Sequence, residues 1–388
     1  MGDAQDFQLH IGGYPSHGIE GPNGSAPQKD HAVVNHLNIT TPPIQTASVF
    51  QHWKWWWLVL LNIFFLLSGQ TVATLLGRLY YDQGGNSKWM ATIVQSAGYP
   101  LLVIPLFLYP SPSTSTTAVA VPRPPLVKIT AIYTALGLLI AGDNLMYSYG
   151  LLYLPVSTYS LICATQLAFN AVFSYFLNNQ KFTSLIFNSV VLLTFSAALL
   201  GVNSDSGDST DGLKTKYALG FMLTLGASAL FSLILSLMQL TFQKVIRTET
   251  FSVVLEMQIW CSLVAAGASV LGLFASGECR SLGAEMDGYG KGKVSYVMTL
   301  VWTAIAWQVA AVGTVGLIFV VSSLFSNVIS TLALPLVPIF AVICFHDKMD
   351  GVKVVAMLIA VWGFLSYIYQ HYLDDLRAKK KAKQCASK

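Results

Sequence analysis

Runs of mainly apolar residues, each about 20 long, follow one another along the chain with only short polar breaks between them. They lie near 55–77, 89–109, 127–149, 154–177, 183–202, 217–242, 250–276, 296–320, 323–345 and 351–371. Runs of that length predict ten membrane-spanning helices and leave no stretch for a soluble domain. The longest polar segments are the first 54 or so residues, rich in Gly, Pro, Asn and His, and the breaks near 203–216 and 277–295. The N-terminal tail reads as disordered. Its first ten residues carry acidic side chains and no apolar core follows them, so the first helix is expected to act as an uncleaved signal anchor.

Composition agrees with that pattern. Charged residues make up 10% of the 388 positions and apolar ones 54%, a balance suited to a helical membrane bundle and poorly suited to a soluble chain. The 22 Lys and Arg divide as thirteen against nine when alternate sides are counted from an inside N-terminus, with the run Lys379 to Lys383 carrying most of the difference. Both termini are therefore expected on the cytoplasmic side. That basic run could bind anionic lipid but reads first as a topological anchor, and the sequons at Asn23 and Asn38 fall in the expected cytoplasmic tail, where they are expected to stay unmodified. Five cysteines, at 163, 261, 279, 344 and 385, form no CxxC pair and no metal spacing, so no disulfide framework is expected. Walker, HExxH and GxSxG motifs are missing as well, which removes support for ATP-driven pumping and common hydrolytic chemistry. No cofactor, metal or nucleic-acid partner is expected.

A weak internal repeat organises the spans. Residues 155–202 run as a small-residue-rich helix, a polar turn with Gln180 and Lys181, and a second helix; residues 322–369 repeat the layout with Asp347 and Lys348 at the turn. The shift of 167 residues also brings Phe173 onto Phe340. Five helices per half is an odd number, so the second copy must enter the membrane from the other side. The predicted fold is an all-α polytopic membrane protein of two inverted five-helix repeats, an architecture of secondary transporters. Its parts are a tail at 1–54, a first repeat at 55–202, a non-cytoplasmic connection at 203–216, a second repeat at 217–371 and a basic tail at 372–388.

Four segments carry a resemblance. Trp55-Trp56-Trp57 through Gly69-Gln70, Leu75 through Tyr81, the long stretch Asp143 through Ile162, and Gln166 through Ala171 resemble the plant purine permeases of the drug/metabolite transporter superfamily. The resemblance covers roughly residues 50–372 and omits both tails. It implies the drug/metabolite transporter fold and proton-coupled uptake of adenine-like bases, with cytokinins, caffeine, alkaloids or vitamin B6 compounds as substrates of different members.

Polar side chains inside the spans are the candidates for such work, because in lipid they tend to face the bundle interior. Asp143 and Glu256 are the acids there, and neither has an obvious basic partner. A lone buried carboxyl can be protonated on one side of the membrane and ionised on the other, which is what proton coupling requires. Adenine offers a donor and an acceptor side by side, suited to an amide, and a flat face suited to aromatic rings. The amides are Gln70, Gln95, Asn144, Gln166, Asn170, Gln258 and Gln308; Gln166 and Asn170 share a helical face. The rings are Tyr147, four residues after Asp143, Trp260, four after Glu256, and Trp302, with Trp307 beside Gln308. Trp53, Trp55, Trp56 and Trp57 read as an interfacial belt. Pro155, Pro335 and Pro338 would interrupt helical hydrogen bonds, and Gly69 and Gly77 offer small surfaces for close packing.

The expectation is thus a proton-coupled importer of purine bases or purine-like heterocycles, placed by the resemblance in the plasma membrane. An alkaloid, vitamin B6 or nucleotide-sugar transporter stands beside it, the last disfavoured by the scarcity of basic residues within the spans. A membrane enzyme or receptor is the alternative from another class.

Overall fold

The computed structural model describes residues 46–108, 125–178, 183–203, 211–246, 251–320, 323–346 and 350–386. The tail before residue 46, its two sequons and the turns holding Gln180, Lys181, Asp347 and Lys348 lie outside them. The helical bundle is built by one compact unit, Val49–Lys388.

Every described element is helical. In chain order these are α1 Thr46–Asp82, α2 Lys88–Ala97, α3 Pro100–Leu108, α4 Leu126–Tyr153, α5 Val156–Cys163, α6 Gln166–Asn178, α7 Ser184–Asn203, α8 Asp211–Thr241, α9 Phe251–Ala275, α10 Leu282–Asp287, α11 Lys293–Val320, α12 Ser323–Phe345 and α13 Gly351–Ala386. A π-helical turn, Phe242–Ile246, ends α8, and a 3₁₀ turn, Glu278–Arg280, precedes α10. Among the described residues, seven helices are long and apolar enough to cross a membrane. All ten apolar stretches are helical where described, but two of them are split. The stretch near 89–109 breaks at Gly98–Tyr99 and resumes at Pro100, and the stretch near 154–177 breaks at Ala164–Thr165. Of the three prolines, Pro155 alone lies at an interruption, between the end of α4 and the start of α5; Pro335 and Pro338 sit within a continuous α12. At the ends the helices outrun the apolar pattern: α8 starts inside the 203–216 connection and α13 runs on through the basic segment to Ala386.

Outward faces stay apolar. Phe64, Phe187, Leu271 and Trp362 are each more than half exposed, at 64%, 58%, 72% and 62%, as expected of side chains whose solvent is lipid. Trp55, Trp56 and Trp57 are also exposed near the start of α1. Inside, hydroxyls spend their donors on their own helices: Thr74 on Gln70, Ser228 on Thr224, Ser269 on Ala265 and Thr303 on Thr299, at 2.6–2.9 Å. Such i−4 bonds let small polar residues sit in the interior without a desolvation penalty.

Close packing seats the first helix. A Cβ at Gly69 would fall 2.6 Å from the Ala310 nitrogen and 2.7 Å from the Ala306 oxygen, and one at Gly313 would meet the Leu66 nitrogen at 2.5 Å. Helices α1 and α11 therefore touch backbone to backbone, the arrangement small residues permit in membranes. Elsewhere α13 lies along α7, α4 packs on α8 and α9, and α12 packs on α5. Buried Leu136, Ile234, Leu255 and Cys261 fill the junction of α4, α8 and α9. Cys163, Cys261, Cys279 and Cys344 are free thiols.

Candidate functional site

Between these helices lies a cavity of about 250 Å³. Both helix breaks border it, through Gln95 and Ser96 at the end of α2, and through Cys163 and Gln166 on either side of the α5–α6 turn. Interrupted backbone at the middle of a membrane bundle is tolerated where it is enclosed by protein or lines such a space.

Eight of the twelve residues singled out by sequence line this cavity. They are Asp143, Asn144 and Tyr147 from α4, Gln70 from α1, Gln95 from α2, Gln166 from α6, Gln258 from α9 and Gln308 from α11. The other four point elsewhere. Asn170 is buried, and its side chain hydrogen-bonds Tyr367 of α13. Glu256 is exposed, and Trp260 and Trp302 are 49% and 57% exposed. The i,i+4 spacing that set Glu256 and Trp260 on one face of α9 is kept, but that face turns outward while Gln258 and Ser262 turn to the cavity. The same spacing on α4 carries Asp143 and Tyr147 inward.

The amides on the wall differ in how they are used. Gln95 Nε2 donates to the Ser148 hydroxyl at 3.0 Å and to the carbonyls of Ala91 and Asn144 at 3.2 and 3.3 Å. Asn144 Nδ2 donates to Ser96 Oγ at 3.0 Å, so α2 and α4 are tied twice. Gln70 Oε1 accepts from Ser330 Oγ of α12 at 3.1 Å. Gln258 Nε2 donates to Ser262 Oγ at 3.4 Å. By contrast Gln166 Nε2, Gln308 Oε1 and Asp143 Oδ1 are buried with no hydrogen-bond partner, in residues only 6%, 3% and 3% exposed. Gln308 is seated by the α2–α3 break: a Cβ at Gly98 would collide with its Cγ and come within 2.7 Å of the Ala304 carbonyl.

Aromatic rings complete the wall. Tyr147 and Tyr159 meet edge to face at 6.0 Å and 76°, and Trp307 and Phe231 add flat surface. Tyr159 was not singled out by sequence, and Trp307 only as the neighbour of Gln308; a tyrosine just after a proline-led helix start offered no signal of its own. Among the described residues, no Lys, Arg or His lines the cavity. Among the described residues, no cluster of His, Cys, Asp or Glu could hold a metal ion.

Toward the end of α1 a second space of about 30 Å³ lies beside Tyr80 and Tyr81 and shares Gln95, Tyr147, Tyr159 and Trp307 with the cavity wall. Above it, the segment between α9 and α11 is clamped to the α1–α2 turn by two carboxylates. Glu285 Oε1 accepts from the hydroxyls of Tyr80 and Tyr296, the latter at 3.2 Å, and its Oε2 accepts from the Ser87 amide at 3.0 Å. Glu278 Oε2 accepts from Ser87 Oγ at 2.7 Å and from the Trp89 amide at 3.3 Å, and Lys88 Nζ stands 3.6 Å from its other oxygen. These are orphan amides of the α2 N-terminus, where carboxylates are favoured. Tyr289 of the same segment is buried, and that burial raises its hydroxyl pKa.

A membrane bundle of long apolar helices closed around a small polar and aromatic cavity defines a multi-pass membrane protein with a small-molecule site. Comparison with known proteins makes the class specific. A family model described as purine nucleobase transmembrane transport matches residues 57–377. Three Arabidopsis thaliana relatives are similar to the chain: "Probable purine permease 11", 59% identical with 92% of each chain covered, "Probable purine permease 10", 56% identical with 84% of each covered, and "Purine permease 21", 55% identical with 84% of each covered. A solved structure described only as "Crystal structure of protein" aligns at 16% identity and a TM-score of 0.45, covering 80% of this chain and 97% of that one. The chain belongs to the purine nucleobase transmembrane transport family; it is a multi-pass membrane transporter and not an enzyme.

Proposed function

We propose that this protein is a secondary transporter that imports purine bases or purine-like nitrogen heterocycles, cytokinins and related alkaloids included, by alternating access and with proton coupling. The carrying observation is the cavity: amide and tyrosine side chains with flat aromatic faces, and no cation among the described residues that line it. A nucleotide sugar would need basic groups for its phosphates, so their absence from the lining favours an uncharged or weakly basic ring. The purine permease relatives supply the substrate class.

Proton coupling rests on Asp143. Asp143 is 3% exposed, its Oδ1 is buried and unpaired, and the residue lines the cavity, whereas Glu256 stands on an outward face. A carboxyl so placed can load a proton while the cavity faces one solution and release it toward the other, because carrying charge through a dry interior is costly. The architecture that moves it is two inverted five-helix halves, 55–202 and 217–371, making ten spans with both termini cytoplasmic, in the plasma membrane. Contacts between the segments assigned to the outer side support placing them on one common side. Arg78, at the end of α1, donates to the Leu151 and Leu154 carbonyls at 3.0 and 2.9 Å, and the α1–α2 turn is clamped to the segment after α9.

The test is uptake of labelled adenine into vesicles holding the purified protein, with and without an inward proton gradient. Gradient-stimulated uptake, competed by cytokinins and lost in Asp143→Asn, is expected. Uptake indifferent to the gradient removes the coupling, and no uptake of any purine-like compound removes the substrate assignment.

A further inference from the structure

We infer that Gln166 and Gln308 read the hydrogen-bonding edge of the ligand, while Gln70, Gln95 and Asn144 on the same wall hold the helices together. The inference rests on the proposed reading of the cavity as the substrate site and divides its polar lining into two kinds.

The division follows from hydrogen-bond satisfaction. Buried polar atoms almost always find a partner, so an atom that lacks one points to a group the protein does not itself supply. Gln95 and Asn144 are engaged with Ser148 and Ser96, and Gln70 with Ser330 on the neighbouring helix. A ligand that claimed those groups would have to break contacts between α2 and α4 or between α1 and α12. Gln166 Nε2 and Gln308 Oε1 have no such commitment, and both belong to nearly buried side chains on the cavity wall. Each is also held from behind. The main-chain carbonyl of Gln166 accepts from Ser232 Oγ of α8 at 2.7 Å, and Gln308 fits against Gly98 at the α2–α3 break. One offers a donor and the other an acceptor. The ligand that completes both is a neutral heterocycle with a ring-nitrogen acceptor and an N–H donor on its rim. Its face lies against Tyr147, Tyr159 or Trp307. Asp143, the third unpaired group, is left to the proton.

Competition against labelled adenine uptake by the purified full-length protein in vesicles tests this. The probes are adenine, purine, which lacks the exocyclic amine, and deaza analogues of adenine that each lack one ring acceptor. The wild type is expected to favour adenine over purine and over at least one deaza analogue by about tenfold, the value of one good hydrogen bond. Gln308→Met, close in volume, should bring the adenine-to-purine ratio near one, and Gln166→Met should do so for a deaza analogue. Gln308→Glu keeps an acceptor and should retain the preference for the amine. Gln95→Met should lower the melting temperature and the uptake of all compounds together without moving either ratio. Unchanged ratios in both Gln166→Met and Gln308→Met, with the wild type discriminating, would overturn the inference alone. So would a ratio that collapses in Gln95→Met. A wild type that takes up no purine overturns the parent reading and this one with it.

Discussion

Two polar assemblies in this molecule use similar side chains to opposite ends. Around Glu285 and Glu278, at the ends of α1, α2 and α11, three of the four carboxylate oxygens accept hydrogen bonds and the fourth faces a lysine. Around Asp143, Gln166 and Gln308, in the middle of the bundle, three buried polar atoms have nothing. A closed set of hydrogen bonds stabilises one arrangement of the chain; an open set in the interior is costly until something enters it. The first assembly clamps the segment after α9 onto the α1–α2 turn. The second is the place where the proposed ligand and proton would gain most by binding.

Substitutions in the two assemblies should therefore separate transport from stability. The largest effect is expected of Asp143→Asn: gradient-driven uptake should fall more than about tenfold, while counterflow of unlabelled against labelled adenine, which needs no gradient, persists. Loss of both together would make Asp143 a structural or ligand group. Glu285→Gln comes next. It keeps the shape but removes the charge from three hydrogen bonds, and bonds to a charged group are each worth about 1.5–3 kcal/mol. A drop of about 2 kcal/mol in unfolding stability in detergent is expected, with the adenine competition constant unchanged. Stability equal to wild type would show that the clamp is not what holds this segment. Glu278→Gln should do the same on a smaller scale, about 1 kcal/mol, since its lysine stands at 3.6 Å and its sites are partly exposed. Smallest of all is Glu256→Gln: uptake with and without the gradient should stay within about twofold of wild type, and an abolished gradient response would return the coupling role to α9.

The pairing of Asp143 with Tyr147 and of Glu256 with Trp260 shows what could be read from the chain and what could not. Both pairs were visible as i,i+4 neighbours, and both remain so. Which face of its helix each occupied was not visible. A helix of a soluble protein announces its buried face by contrast with a charged one, but a membrane helix is apolar toward lipid and toward its neighbours alike, so periodicity carries little direction. The same limit hid Tyr159 among other small and apolar neighbours. The two breaks differ in legibility. Gly98-Tyr99-Pro100 contains a helix stop followed by a helix start, whereas Ala164–Thr165 has neither glycine nor proline to mark its break.

Sequence by itself determined the solvent, the helices and the family. Run length and the scarcity of charge dictate membrane helices regardless of how those helices meet, and long contiguous matches need no coordinates. Only the tertiary structure decided which polar groups find partners and which are left buried without one. Satisfaction of a hydrogen bond is a property of two atoms brought together from distant parts of the chain, as Gln70 is with Ser330, 260 residues away.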